Sequence, residues 1–358
     1  MKNKEINVKN ILTKISSGNN FSYNEAKLIF EKIVEGKMQD SDASSILKEI
    51  SFKGETVDEI LAMIEIIKQF SITIHPTFKN SLFDICGTGG SKIKTFNIST
   101  AAAIVAAAAG CNIAKHGNRS ASGVCGSADF LEYIGINLDS PPHMVSRSIE
   151  ELGLGFLFAP LFHPVLKNVA QLRKTIGMKT IFNIAAPLCN PCDNLSGQVI
   201  GVYDSTLLNK FSEVTKKLNK NYIIVNSNDG IDEISNTGKN NLVYVIKGKI
   251  NRINLNPIDV GIPLTSINDI TIKNKRDSIK LTLKSIYGLA HKQIEDIVVI
   301  NSAPALVLSK IAKDIKEGVD ISRSVIREGK GRNKLRDLIA SCGNKNRLLE
   351  IENNFDLN

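Results

Sequence analysis

The sequence predicts an α/β protein: a small helical domain followed by a larger domain built on a largely parallel central sheet. Three observations carry this. Residues 1–76 show helical periodicity and no strand pattern. From Ser81 onward, short apolar runs alternate with helical stretches, as βα units with a parallel sheet require. Two of those runs lead directly into glycine-rich loops, the usual strand-to-helix turn of such units.

In the first region, Ser22-Tyr23-Asn24-Glu25 is a capping box. It opens a helix with Ala26, Ile29, Phe30, Ile33 and Val34 on one side, ended by Gly36. Thr56-Val57-Asp58-Glu59 is a second box, opening a helix with Ile60, Met63, Ile64 and Ile67. His75-Pro76 marks the boundary. Strands are then expected at Ser81–Cys86, Cys111–Lys115, Phe156–Phe158, Val199–Tyr203, Tyr222–Val225 and Leu242–Ile246. Helices are expected from Ser99 to Ala109, from a cap at Ser127 to Gly135, and from a first turn at Pro141 to Gly153.

Composition narrows the class. The chain has 358 residues, 42% hydrophobic and 23% charged, as a globular protein does. No run of about 18 apolar residues occurs, and the stretch Ala101–Gly110 is too short to span a membrane. The first residues, MKNKEINVKN, are polar and lack the apolar core of a signal peptide, so a cytoplasmic protein is expected. A net charge of +9 suits either nucleic acid or an anionic small molecule. The lysines are scattered and not blocked, which argues against a nucleic-acid role. Six cysteines occur: Cys86, Cys111, Cys125, Cys189, Cys192 and Cys342. A disulfide framework is not expected in such a chain. Cys189-Asn190-Pro191-Cys192 lacks the further ligands a structural zinc needs, and its prolines suggest an irregular loop and no redox helix.

Chemistry concentrates in three segments. Asp84-Ile85-Cys86-Gly87-Thr88-Gly89-Gly90-Ser91 follows a strand, and glycines let backbone N–H groups approach a phosphate. Asn97-Ile98-Ser99-Thr100 opens the next helix, whose N-terminus favours an anion. On its own this is also the pattern of a plain strand–turn–helix connection. The loop Lys115 to Gly123 (KHGNRSASG) adds two cations, a histidine, an asparagine and two hydroxyls after a second strand. Parallel neighbouring strands would bring both loops to one carboxyl edge of the sheet, where open α/β folds bind ligands. The third segment, residues 228–235, carries the adjacent carboxylates Asp232 and Glu233. These could serve two Mg²⁺ ions, which need few protein ligands. An isolated acidic pair is more often a solvated turn.

Together these segments resemble the anthranilate phosphoribosyltransferase family. The likeness runs through GTGG, KTFNIST, AKHGNR, GSAD, FLFAPLFHP, RKTIG, TIFN, QVIGVYD, NDGIDEIS and INSAPAL, in order and spacing. It implies a fold of the nucleoside phosphorylase/phosphoribosyltransferase kind. Residues 1–76, joined by helices around 164–190, would form the helical domain, and residues 77–358 the α/β catalytic domain. It also implies a homodimer, the substrates phosphoribosyl pyrophosphate and anthranilate, and Mg²⁺ as two ions.

Site residues carry over by position. Gly87, Gly90, Ser91, Thr95, Asn97, Ile98, Ser99 and Thr100 match positions that hold phosphoribosyl pyrophosphate. So do Lys115, His116, Gly117, Asn118, Arg119, Ser120, Ala121, Ser122, Gly123 and Ser127. Gly87, Asn118, His163 and Arg173 match anthranilate contacts, with His116 beside that substrate's path. Ser99, Asp232 and Glu233 match the metal site. Lys115, Arg119, Asp232 and Glu233 would carry the catalysis by neutralising the charge of the departing pyrophosphate.

Three departures stand out. Ser91 replaces a common Asp after GTGG, Val124-Cys125 replaces a common Lys before GSAD, and Ala185-Ala186-Pro187-Leu188 replaces LGPL. They imply altered affinity with the activity retained. Two other readings compete: a pyrimidine nucleoside phosphorylase of related fold, which KHGNR and IDEIS argue against, and a non-catalytic relative binding nucleic acid through its basic surface.

Overall fold

The computed structural model describes residues 7–78, 80–120 and 123–357. The chain divides into two compact units: residues 1–72 with 160–191, and residues 73–159 with 192–358.

The first unit is helical. Its principal helices are Val8–Ser16, Tyr23–Val34, Asp40–Lys53 and Val57–Gln69, joined by Ala170–Ile176 and Ile181–Ala185 from the later segment. Both capping boxes form: Glu25 accepts from Ser22 N and Glu59 from Thr56 N, each at 2.8 Å. Glu59 is fully buried and also accepts from Phe21 N (3.0 Å) and Lys53 Nζ (3.0 Å). A local cap signal thus doubles as a core tie. Ala26, Ile29, Phe30 and Ile33 are buried in the packing of their helix on Val57–Gln69, which buries Ile60, Met63, Ile64 and Ile67. Each large side chain so removed from water contributes about 1.5–3 kcal/mol.

The second unit is a seven-stranded sheet. Its strands are β1 Leu82–Gly87, β2 Asn112–Gly117, β3 Leu154–Phe158, β4 Gly197–Gly201, β5 Asn221–Ser227, β6 Asn240–Ile246 and β7 Lys249–Leu255. They lie in the order β3-β2-β1-β4-β5-β6-β7. β1 to β5 are mutually parallel, and β6 and β7 close one edge as an antiparallel hairpin. β1 is flanked by β2 on one side and β4 on the other, so the topology reverses between β1 and β4. That is where open α/β sheets form their ligand crevice. The Ala-rich helix Ile98–Ala108 is buried almost along its length and packs on Lys292–Leu308. Small side chains permit that close approach.

Details differ from the sequence expectations. The helix after the second loop spans Ser127–Tyr133 with Gly126 at its N-cap. The cap carboxylate belongs to Asp129, which accepts from Gly126 N at 2.9 Å, and Ser127 is not the cap. In the next helix Pro141 is the cap residue and Pro142 the first helical position. β4 ends at Gly201, before Tyr203. β7 was not expected at all.

Candidate active site

The site residues of the second unit gather at the carboxyl ends of β1, β2, β4 and β5. The turn 228–235 after β5 folds back over the ends of β1 and β4. The glycines make this possible. A Cβ on Gly201 would lie 1.5 Å from Asp232 O, and one on Gly87 would lie 2.2 Å from Asp232 Oδ2. A side chain at Gly201 would push the turn's backbone off the strand end, and one at Gly87 would displace the Asp232 carboxylate.

Asp232 then latches the first loop. Gly89 N donates to Asp232 Oδ2 (2.7 Å) and Ser91 Oγ to Oδ1 (2.6 Å). Asp232 N donates back to Ser91 Oγ (3.0 Å). Glu233 behaves differently. It is partly accessible as a residue, yet its Oε2 is sealed from solvent with no hydrogen-bond partner. Burial, then the Asp232 carboxylate, push its pKa well up, while Lys115 opposes the shift. An enclosed carboxylate oxygen without a partner, beside a second carboxylate, fits a divalent cation. Among the described residues no cluster of three or more His, Cys, Asp and Glu could hold a metal. The donor set therefore suits an ion that keeps waters and substrate oxygens.

The second loop is organised by Asp129. It accepts from Ser120 N (3.0 Å) and Gly126 N (2.9 Å), with Lys275 Nζ 3.9 Å away. Asn118 O accepts from Ala128 N (3.2 Å) and Ser127 Oγ (3.3 Å). Ala121 and Ser122 lie outside the described residues, and Gly123 resumes beside Ser120.

Two expected cations are already engaged. The Arg119 guanidinium forms a fork with Glu132 (2.6 and 2.7 Å), reaches Asp129 at 3.4 Å, and lies 5.6 Å from the Phe158 ring centre. Lys115 sits within β2, only 4% exposed, and donates to Ile85 O at 2.7 Å. Burial lowers its pKa, against the stabilising charges of Asp84, Cys86 and Glu233. Fully buried Asp84 accepts from His116 N (3.2 Å) and Gln198 Nε2 (3.0 Å). A polar seam thus runs through the central strands beneath the loops.

At the start of the helix Ile98–Ala108, the four expected contacts divide. Asn97 donates to Cys125 O (3.0 Å) and accepts from Ser278 Oγ (3.0 Å), so its amide ties the second loop to the helix Lys275–Tyr287. Ile98 is a core side chain. Thr100 Oγ1 is buried without a partner, and Ser99 remains partly accessible. Thr95 forms an isolated antiparallel bridge with Thr271.

The other two expected contacts belong to the first unit. The Arg173 guanidinium lies 5.2 Å over the Phe182 ring and makes no hydrogen bond or ion pair to any described residue. His163 is 1% exposed, with Nδ1 2.6 Å from Ser71 Oγ. Burial lowers its pKa to about 4, so it is neutral at pH 7. The ring is thus held against Ser71, at the end of the helix Val57–Gln69.

Comparisons with known proteins decide the family. The pattern described as the glycosyl transferase family, a/b domain, matches residues 79–332, and its helical bundle domain matches residues 9–71. The anthranilate phosphoribosyltransferase of Vesicomyosocius okutanii is 38% identical over 337 residues, covering 93% of this chain and 98% of that protein. The crystal structure of the Thermus thermophilus anthranilate phosphoribosyltransferase superposes with a TM-score of 0.86 at 32% identity, over 92% of this chain and 98% of that one. The chain belongs to the anthranilate phosphoribosyltransferase family. The Saccharomyces cerevisiae anthranilate phosphoribosyltransferase, solved with phosphoribosyl pyrophosphate and magnesium, shares the fold (TM-score 0.84, 23% identity, 94% of this chain and 98% of that one).

Within the anthranilate phosphoribosyltransferase family, the three departures now have surroundings. Ser91 is both donor and acceptor to Asp232, a pairing that a carboxylate at this position could not make without a proton. Cys125 is partly buried, which pushes its thiol up to about 11, and its carbonyl takes the Asn97 amide. Ala186 starts a short 3-10 turn in the first unit. Cys189 and Cys192 are buried thiols not joined in a disulfide, and burial pushes both up to about 12. Sequence reasoning passed over Asp129, although GSAD contained it, and Asp84 and Gln198. The available signal for Asp84 and Gln198 was a polar residue inside an otherwise apolar central strand.

Proposed function

We propose that this chain transfers the phosphoribosyl group of phosphoribosyl pyrophosphate to the amine of anthranilate, releasing pyrophosphate. The observation that carries the reading is the Asp232–Glu233 turn, hydrogen-bonded onto a glycine-rich loop at the sheet's switch point, with one enclosed carboxylate oxygen unpartnered. Family membership and the neighbours' substrates support it. Phosphoribosyl pyrophosphate would lie along the loops 87–91 and 115–127, using backbone N–H groups and the first turn at Ser99. Asp232 and Glu233, with Ser99, would hold Mg²⁺ as two ions, and magnesium there would neutralise charge developing on the leaving pyrophosphate. Lys115 would balance the buried carboxylates beneath the site, and Arg119 would brace the second loop through Glu132.

The aryl amine of anthranilate is neutral at pH 7 and already nucleophilic, so no strong general base is needed before attack. The chain's task is to hold the amine in line and the leaving group's charge in place. Arg173 would take the anthranilate carboxylate: a planar fork over an aromatic ring, with no ion pair to a described residue, suits a planar anion. A homodimer working in the cytoplasm completes the proposal.

The test is loss of anthranilate fluorescence by the purified chain. Consumption that requires both phosphoribosyl pyrophosphate and Mg²⁺, and stops with EDTA, is the expected result. Turnover undiminished by EDTA would remove the metal assignment. Phosphorolysis of thymidine or uridine without anthranilate turnover would favour a nucleoside phosphorylase.

A further inference from the structure

The β6–β7 hairpin has one covered face and one open face. Helix Thr206–Lys217 packs on the hairpin, and Arg252 on β7 donates to Asn209 of that helix at 3.0 Å. On the opposite face lies a groove of about 660 Å³. Its floor is apolar, built from Leu242, Tyr244 and Ile253 of the hairpin and closed by Val307 and Ile315 from the junction of two helices. A cavity of this size is within the range of small-molecule sites, roughly 300–1,000 Å³.

Its rim is predominantly basic, four lysines to one carboxylate. Lys247, Lys249, Lys313 and Lys316 line it, and none forms an ion pair with a described residue. The single lining carboxylate, Asp314, is committed as a helix cap, accepting from Glu317 N at 2.8 Å. Tyr244 Oη makes no hydrogen bond to a described residue. Lys247 holds a left-handed backbone (φ 49°) in the two-residue turn with Gly248 (φ 74°). Such turns favour Asn, Asp or Gly first, and here the first position is a lysine. Lys247 N donates to Asn221 Oδ1 (3.1 Å) at the start of β5. This end of the groove is therefore at the sheet edge opposite the glycine-rich loops.

We propose that this groove is a second ligand site, separate from the active site, for a small amphipathic anion: an apolar body on the hairpin face and a carboxylate among the lysines. Charge complementarity selects the occupant. A second copy would bring like charges together. A nucleic acid would leave the apolar floor unused. β7 is an edge strand whose pairing among the described residues is with β6 alone, so an acidic extended peptide is the rival occupant. The closed apolar floor between strand face and helices favours a compact body over a strand laid along the edge. The proposal does not depend on the transfer reaction.

The test is calorimetric titration of the full chain with decanoate, decanol and a peptide of alternating Glu and Val. Decanoate should bind saturably at one per chain and decanol at least tenfold more weakly. Lys313→Glu with Lys316→Glu should weaken decanoate at least tenfold, whereas Lys345→Glu, an exposed control, should not. Lys247→Asn should weaken decanoate while raising the melting temperature, a pairing that a purely structural role would not give. No saturable decanoate binding, equal affinity for decanol, indifference to the double lysine variant, or binding of the peptide in place of decanoate would each overturn the proposal.

Discussion

Replacing Glu233 by Gln should stabilise the metal-free protein and abolish its response to Mg²⁺. Glu233 Oε2 is enclosed and unpartnered, and the carboxylates of Asp232 and Asp229 are close enough to disfavour its ionisation. An unsatisfied buried polar group costs about 1–3 kcal/mol, and a charged one more. Gln keeps the shape, carries no charge at any pH and offers two amide N–H donors in place of one carboxyl proton. With EDTA, a gain of about 1–3 kcal/mol should raise the melting temperature by roughly 2–4 °C per kcal/mol for a unit of this size. The sign of the pH dependence follows from the raised pKa. Below the unfolded value of 4.5 the native group costs nothing. Above it the native state keeps a proton that the unfolded state has lost, so stability falls as pH rises, by up to about 1.4 kcal/mol per unit. The variant lacks that slope. Mg²⁺ at a hundredfold its dissociation constant should stabilise the parent by about 2.7 kcal/mol and the variant by far less. Scanning calorimetry with EDTA and along a Mg²⁺ series measures both. A Gln variant that melts below the parent in EDTA, or keeps the full Mg²⁺ shift, refutes the reasoning.

Three further outcomes are expected. Arg173→Ala should raise the KM for anthranilate through loss of a charge-assisted contact, about 1.5–3 kcal/mol, with the KM for phosphoribosyl pyrophosphate nearly unchanged; equal effects on both would make Arg173 structural. Asp129→Ala releases Ser120 N and Gly126 N, so it should raise the KM for phosphoribosyl pyrophosphate, with Asp129→Asn restoring part of the loss; steady-state kinetics with both substrates varied gives the answer. His163 binds its proton only near pH 4 in the native state but at 6.5 when unfolded, so stability should fall as pH drops from 6.5 to 4, by up to about 3 kcal/mol. A His163→Gln variant with an equally steep acid slope would show that the loss arises elsewhere.

Local signals were the most legible. Both capping boxes and the helix faces behind them need only neighbours three or four residues apart, and they form as read. The alternation of strands and helices likewise gave the α/β class. β7 escaped because KINRINL is an exposed edge strand whose charged and polar residues hide its alternation. β4 was shifted because its ends are glycines, which carry no pattern. The anion loops were legible as segments, but side-chain direction was not. Lys115 read as a loop cation, yet it lies inside β2 and turns inward to Ile85 O. Arg119 read the same way, but its partner Glu132 stands on the following helix, a pairing that only the fold reveals. Glu233 was read as part of a polar turn with no place in the core, whereas the glycines at positions 87 and 201 draw that turn onto the sheet and enclose the carboxylate.

The same glycines couple the two halves of the proposed chemistry. Asp232 occupies the Gly89 N–H and the Ser91 hydroxyl, two of the donors a pyrophosphate would use. An anion arriving alone would have to displace Asp232 from those donors, beside a Glu233 oxygen that is itself enclosed and unpartnered. A cation arriving alone draws Asp232 from the loop and leaves Gly89 N–H and Ser91 Oγ unpaired. Each ligand thus meets a cost that the other removes: the cation supplies the carboxylates' partner, and the phosphate supplies the loop's. Binding of the two should therefore be mutually favourable, and by linkage the gain would be the same whichever binds first. Coupling of this kind follows from a latch made between the two ligand sets, and it would vanish if the turn 228–235 stood away from β1.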